Sequence, residues 1–317
     1  MSTKNPKRSG NPAKRAVADE LLSAGATARV TWRDWVSGAR LRTLPLAIAP
    51  VAAGAGIAHM LHEFSLTLSL LALAVALFLQ IGVNYANDYS DGIRGTDAFR
   101  VGPARLTGSG RVNPKRVFIT AMVFFGLAAV AGLVAVILSE RWWFIAVGVI
   151  AIVAAWFYTG GKRPYGYAGL GEVVVFVFFG MVATVGTVWL QTEIANQEMW
   201  FAGAGIGFFA VAVLLVNNLR DIPTDRAAGK HTLAVRIGER WTRVLYVVCM
   251  VLPFGVPLLY GWVYSGMLLV WFVLAAVIPA VIITLTARTA RELIFVLQLT
   301  SFAALGYGVL LGAAFAF

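Results

Sequence analysis

An all-α, polytopic membrane bundle is the fold class this sequence predicts, on three observations. The 317 residues are 59% hydrophobic with a mean hydropathy of +0.78, well above the composition of an ordinary soluble domain. Nine apolar stretches each approach the roughly 20 residues that a helix needs to cross about 30 Å of hydrocarbon. The Lys and Arg residues collect in every second connection between those stretches, as positive-inside topology requires. A formal charge of +11 would suggest nucleic acid in a soluble chain; distributed between apolar runs, it reads as membrane topology instead. Cys249 is the single cysteine, which excludes an intramolecular disulfide and leaves a thiolate cluster unsupported.

Residues 1–31 are rich in Lys, Arg, Ser, Ala and Gly, with no apolar core of signal-peptide length. They read as a basic, disordered cytoplasmic tail, and residues 32–317 as one transmembrane domain. Trp32, Arg33, Asp34 and Trp35, followed by Arg40, Arg42 and Pro45, mix aromatic and basic character as expected at headgroup level. The nine helices are expected near 43–61, 66–88, 115–138, 142–160, 171–191, 199–219, 242–263, 266–287 and 293–315. With the amino terminus inside, Arg141 alone among the 26 basic residues falls outside, where Glu63, Glu140, Glu193 and Glu198 also lie. The odd number of spans puts the carboxy terminus outside.

Two acidic clusters then fall on the same side of the membrane, at the ends of the second and sixth spans. If those helices continue into the clusters, Asn84, Asp88 and Asp91 are spaced i, i+4, i+7, and Asn217, Asp221 and Asp225 i, i+4, i+8. Each helix presents an amide and two carboxylates on one face. Carboxylates at a helix carboxy terminus oppose the dipole and repel one another, so they need a cation. Magnesium suits oxygen donors completed by water and phosphate; two facing Asp pairs have the donors for two ions on a diphosphate. A salt-bridge network with neighbouring arginines is the competing account.

Three basic loops accompany the acids. Arg100 to Arg111 combines glycines, which allow close backbone approach, with arginines suited to an anion. Lys162 and Arg163 after the fourth span are topology signals when taken alone. Lys230, after Asp225, is placed to neutralise a phosphate, and His231 has no partner histidine nearby. No P-loop pattern is present.

Asn84 to Asp97 and Asp221 to Asp225 resemble the two acidic motifs of the UbiA superfamily of intramembrane aromatic prenyltransferases. Where the superfamily pattern has a third Asp, four residues after the second, this chain has Gly95, and its next acid is Asp97. That departure is similar to the 1,4-dihydroxy-2-naphthoate polyprenyltransferase branch, as are Arg100 to Gly110, Pro164 to Glu172, Asn218 to Gly238, and Arg40, Arg42, Thr43, Leu44 and Pro45 at the entry to the first helix.

The resemblance implies nine helices around a central cavity, capped by cytoplasmic loops and open sideways to lipid, in a bacterial plasma membrane. It implies transfer of a polyprenyl group from polyprenyl diphosphate to 1,4-dihydroxy-2-naphthoate, with loss of carbon dioxide and diphosphate, in menaquinone biosynthesis. In that scheme Asp88, Asp91, Asp221 and Asp225 bind Mg2+, with Asn84 and Asn218 as amide ligands or substrate orienters. Lys162, Arg163, Lys230, Arg94 and Arg105 bind the diphosphate. Asp97 is a candidate base or supporting group. Phe124, Phe125, Phe176, Phe178 and Phe179 are candidates for the prenyl groove, although each alone reads first as a lipid-facing or packing side chain. The competing readings are a prenyltransferase for another aromatic acceptor, a cation-coupled transporter with acids at the bilayer midplane, and a membrane scaffold.

Overall fold

A computed structural model describes residues 30–95 and 105–317, and these residues fold as helices and turns without a strand. A short helix α1 (Trp32–Gly38) is followed at Arg40 by a left-handed residue with a φ of 52°. A tight turn over Leu41–Thr43 then leads into α2 (Pro45–Met60), with Pro45 in the first turn where its missing N–H costs no helical bond. The axis bends by 47° between the two parts. Helix α3 (Leu66–Ile93) is capped by Ser65, and α4 (Pro114–Ser139) by Asn113 with a proline at its start.

Six more helices complete the bundle: α5 (Phe144–Phe157), α6 (Gly171–Trp189), α7 (Gln197–Ala227), α8 (Leu233–Tyr260), α9 (Met267–Thr286) and α10 (Ala290–Ala316). Seven of the ten, α3, α4 and α6 to α10, are long and apolar enough to cross a membrane. The bent pair of α1 with its turn and α2 supplies an eighth. The stretch expected as a span over 142–160 yields only the 14 residues of α5, about 21 Å of helix against about 30 Å of hydrocarbon. A left-handed Glu140 turns the chain before it, and Gly161, also left-handed, lies just beyond it.

Helix α7 is the axle: its apolar window is the most buried of all, at 72%. Close approach of backbones joins α6 to α7 and α2 to α10, as expected where lipid removes any hydrophobic drive between helices. A Cβ added at Gly56 on α2 would lie 2.0 Å from the Gly312 carbonyl oxygen on α10, and one at Gly180 on α6 would lie 2.5 Å from the Gly203 oxygen on α7. Around Gly180 the α6 backbone widens into a π-helical stretch, Phe176–Val182, a distortion that often marks a functional wall. Large apolar side chains such as Val123, Val130, Ile137 and Phe302 face outward, which suits a lipid surround.

Candidate active site

Both acidic clusters are helical, because α3 runs on to Ile93 and α7 continues through Pro223 to Ala227. Their last turns converge at one end of a partly open cavity of about 620 Å³ lined mainly by α2 to α7. Asn84, Asn87, Asp91, Arg105, Asn217, Asn218, Asp221, Asp225 and Lys230 line that end, while Val75, Leu79, Val136, Ile152, Phe178 and Phe179 are among the apolar residues of the remaining wall.

Lys230 joins the two clusters. Gly229, at a φ of 72°, turns the chain after α7, and the Lys230 backbone N–H donates to the Asp225 carbonyl at 2.9 Å. The Lys230 Nζ then stands 3.3 Å from Asp91 Oδ1 and 3.9 Å from Asp225 Oδ1, and 4.6 Å from the centre of the Tyr167 ring. Asp91 also accepts from Arg105 Nη1 at 2.9 Å and from the Tyr167 hydroxyl. Asp221 is gripped through both oxygens by Arg220, at 2.7 and 2.6 Å. Such buried, charge-assisted contacts fix geometry closely. They also leave the carboxylates compensated by cations that a bound anion can draw toward itself.

Amides and phenols complete the polar end. Asn218 donates to Glu172 Oε1 at 3.0 Å, which turns its own oxygen the other way. Asn87 accepts from Thr159 Oγ1 at 2.7 Å. Burial pushes the Tyr165 phenol up to about 12. The Tyr158 phenol goes higher still, through burial first and then the nearby Glu172 carboxylate, so both remain protonated donors at neutral pH.

Several expected site residues lie elsewhere. Asp88 is 2% exposed and points at the loop after α3, accepting from the backbone N–H groups of Leu106 and Thr107 at 2.9 and 2.8 Å. Its carboxylate clamps the segment that carries Arg105. Arg94 donates to the carbonyls of Thr159 and Gly161 and stacks 5.6 Å over Tyr167, bracing two cavity-lining residues from behind without lining the cavity itself. Lys162 and Arg163 are exposed. Asp97 lies outside the described residues, as do Arg100 and most of the expected tail. Of the five phenylalanines considered, Phe178 and Phe179 line the cavity; Phe125 packs on Gly82, Phe124 stacks on Tyr85 and Phe176 meets Phe208 edge-on.

Three contributors were not singled out from the sequence: Asn87, Tyr167 and Arg220. Asn87 and Asp91 share the i, i+4 spacing that marked Asn84 and Asp88, and Arg220 adjoins Asp221. Nothing in the pattern around Tyr167 distinguishes it from Tyr165.

Among the described residues no three His, Cys, Asp or Glu side chains converge as a ready-made metal cage. The donor set nevertheless fits a magnesium–diphosphate pair, because such ions commonly take only one or two carboxylates, with water and phosphate oxygens supplying the rest. Asp91, Asp221 and Asp225 and the Asn87 and Asn217 amides are all oxygen donors lining the same cavity.

A helical membrane bundle whose apolar cavity ends in carboxylates, amides and cations defines a class: intramembrane proteins that take an amphiphile with an anionic head. This chain belongs to the UbiA prenyltransferase family, whose profile matches residues 47–294. A 1,4-dihydroxy-2-naphthoate octaprenyltransferase of Mycobacterium tuberculosis is 50% identical over 291 residues, covering 90% of this chain and 98% of that one. The Escherichia coli protein of the same name is 39% identical over 73% of this chain and 80% of its own. A UbiA homologue from Aeropyrum pernix has the same fold, with a TM-score of 0.65 at 13% identity over 85% of this chain and 96% of that one. One from Archaeoglobus fulgidus, determined with GPP and Mg2+, aligns at a TM-score of 0.61, 13% identity and 88% and 99% coverage.

Proposed function

We propose that this protein transfers a polyprenyl group from polyprenyl diphosphate to 1,4-dihydroxy-2-naphthoate in menaquinone biosynthesis, as a multi-pass bacterial membrane enzyme. The carrying observation is the polarity of the cavity: one acidic and cationic end, and an apolar remainder. A polyprenyl diphosphate divides in the same way. The Mycobacterium tuberculosis relative, 50% identical along nearly its whole length, supports the acceptor and the prenyl donor.

Asp91, Asp221 and Asp225 are the residues that would hold magnesium, with the neighbouring amides as further ligands or orienters. The metal would neutralise the diphosphate oxygens as negative charge builds on them. Lys230 and Arg105, already within 3.3 Å of Asp91, are positioned to pass their donors to the departing diphosphate. As the allylic carbon–oxygen bond breaks, that carbon gains cationic character. The ring carbon bearing the carboxylate attacks it, and carbon dioxide leaves, returning its bonding electrons to the ring. The apolar wall excludes water from the cation, which would otherwise yield a prenyl alcohol.

Asp88 acts by seating the loop that delivers Arg105, and Lys162 and Arg163 add positive field at the mouth. Asp97 is the proposed base or supporting group. Two magnesium ions, nine crossings counting α5, and an amino terminus on the cytoplasmic side with the capping loops complete the proposal. Asp91 and Asp225 lie in the last turns of α3 and α7, which suits a headgroup site better than a midplane ion pathway.

The test is product analysis. Purified protein in vesicles receives dihydroxynaphthoate, magnesium and polyprenyl diphosphate, and a decarboxylated, prenylated naphthoquinol is expected by mass. Diphosphate release without a prenylated naphthalene would reject this acceptor.

A further inference from the structure

Gln80 is an amide in the otherwise apolar part of α3, 7% exposed and on the cavity wall. Its orientation follows from Thr43. The Thr43 hydroxyl donates its one proton to the Arg40 carbonyl at 3.0 Å, so toward every other neighbour it can only accept. Gln80 Nε2, at 2.9 Å, and Asn84 Nδ2, at 3.3 Å, both donate to it. Asn84 Nδ2 is fixed further by the Ala39 carbonyl at 2.8 Å. The network thus turns the Gln80 oxygen away from Thr43, and that Oε1 is buried with no partner among the described residues. Buried acceptors are seldom left unmet, and an unmet one needs an explanation.

We infer that Gln80, aimed by Thr43, is the specificity-determining residue that accepts a hydrogen bond from a hydroxyl of the aromatic acceptor. The inference rests on the function proposed above and names the chemistry of the acceptor's subsite. An oxygen that can only accept demands a ligand carrying O–H or N–H. A polyprenyl chain has neither, and an ionised diphosphate is itself an acceptor. Dihydroxynaphthoate carries two phenolic O–H groups. Position agrees: Gln80 lies about three turns, roughly 16 Å, along α3 from Asp91, and both residues line the same cavity. A neutral amide provides this acceptor without placing a charge in the apolar wall.

The experiment compares the diol with each of its two mono-O-methyl ethers, in vesicles containing wild-type protein or Gln80→Met. In the wild type, one ether is expected to lose about ten- to a hundred-fold in kcat/KM, the cost of leaving one buried acceptor unmet. In Gln80→Met that penalty falls to about three-fold or less, the KM for the diol rises, and the KM for polyprenyl diphosphate is unchanged. Thr43→Val keeps Gln80 but unlocks its amide, and should give an intermediate penalty; it reads the same ratio if Gln80→Met does not accumulate. Equal use of all three acceptors by the wild type, or an undiminished penalty in the variants, overturns the role of Gln80 while leaving the enzyme's function intact. No turnover of the diol by the wild type would instead reject the function on which the inference rests.

Discussion

Replacing Asp88 by Asn separates a structural clamp from a metal ligand. Both carboxylate oxygens accept backbone N–H groups, from Leu106 at 2.9 Å and Thr107 at 2.8 Å, in a site 2% exposed. An Asn keeps one acceptor and turns an NH2 toward the other amide, so one charge-assisted bond is lost and a buried N–H is left unmet. At about 1.5–3 kcal/mol for a hydrogen bond to a charged group, and a comparable penalty for the orphan, local stability should fall by about 3 kcal/mol. At 1.4 kcal/mol per factor of ten, the Leu106 and Thr107 amides should exchange with deuterium about a hundred-fold faster. Prenyl transfer should fall because Arg105 loses its seat beside Asp91, while the magnesium concentration giving half-maximal activity stays within about two-fold. Unchanged protection of those two amides, together with a large shift in that magnesium concentration, would refute the clamp and return Asp88 to the metal.

Two further outcomes are expected. Lys230→Met removes the cation between Asp91 and Asp225 and should lower kcat/KM for polyprenyl diphosphate by a hundred-fold or more, with the KM for the naphthoate little changed; steady-state kinetics with each substrate varied will show it. Gly56→Val places side-chain atoms where even a Cβ would lie 2.0 Å from the Gly312 carbonyl, so α2 and α10 must separate. A loss of about 3 kcal/mol or more is expected, read as a lowered unfolding midpoint in detergent.

The bundle was legible because apolar length and basic connections are both one-dimensional signals. The helical continuation past residue 88 was legible too, since the i, i+4, i+7 and i, i+4, i+8 spacings make sense only on helices. The division of labour between Asp88 and Asp91 was not. Three residues apart, they share a helix face, and only the returning loop, with its Leu106 and Thr107 amides, decides which of them it occupies. The pairing of Arg220 with its own neighbour Asp221 depends in the same way on a side-chain turn that sequence does not specify. Phe178 and Phe179 line the cavity from the π-helical stretch of α6, a widened turn that the apolar pattern alone does not announce. The stretch expected over 142–160 shortens to α5, Phe144–Phe157, because left-handed turns at Glu140 and Gly161 bracket it, and hydropathy does not register backbone turns. Gln80, a polar side chain inside an apolar run, was the visible signal passed over.

We propose that the carboxylates of α3 and α7 form one magnesium-dependent diphosphate site. Its most direct test is equilibrium binding of a non-transferable prenyl diphosphate analogue to the wild type, Asp91→Ala and Asp225→Ala, with and without magnesium. The wild type is expected to bind tightly and to lose that binding on chelation, and either variant to lose at least a hundred-fold. Wild-type affinity retained in one variant, with its magnesium dependence intact, would contradict a shared site.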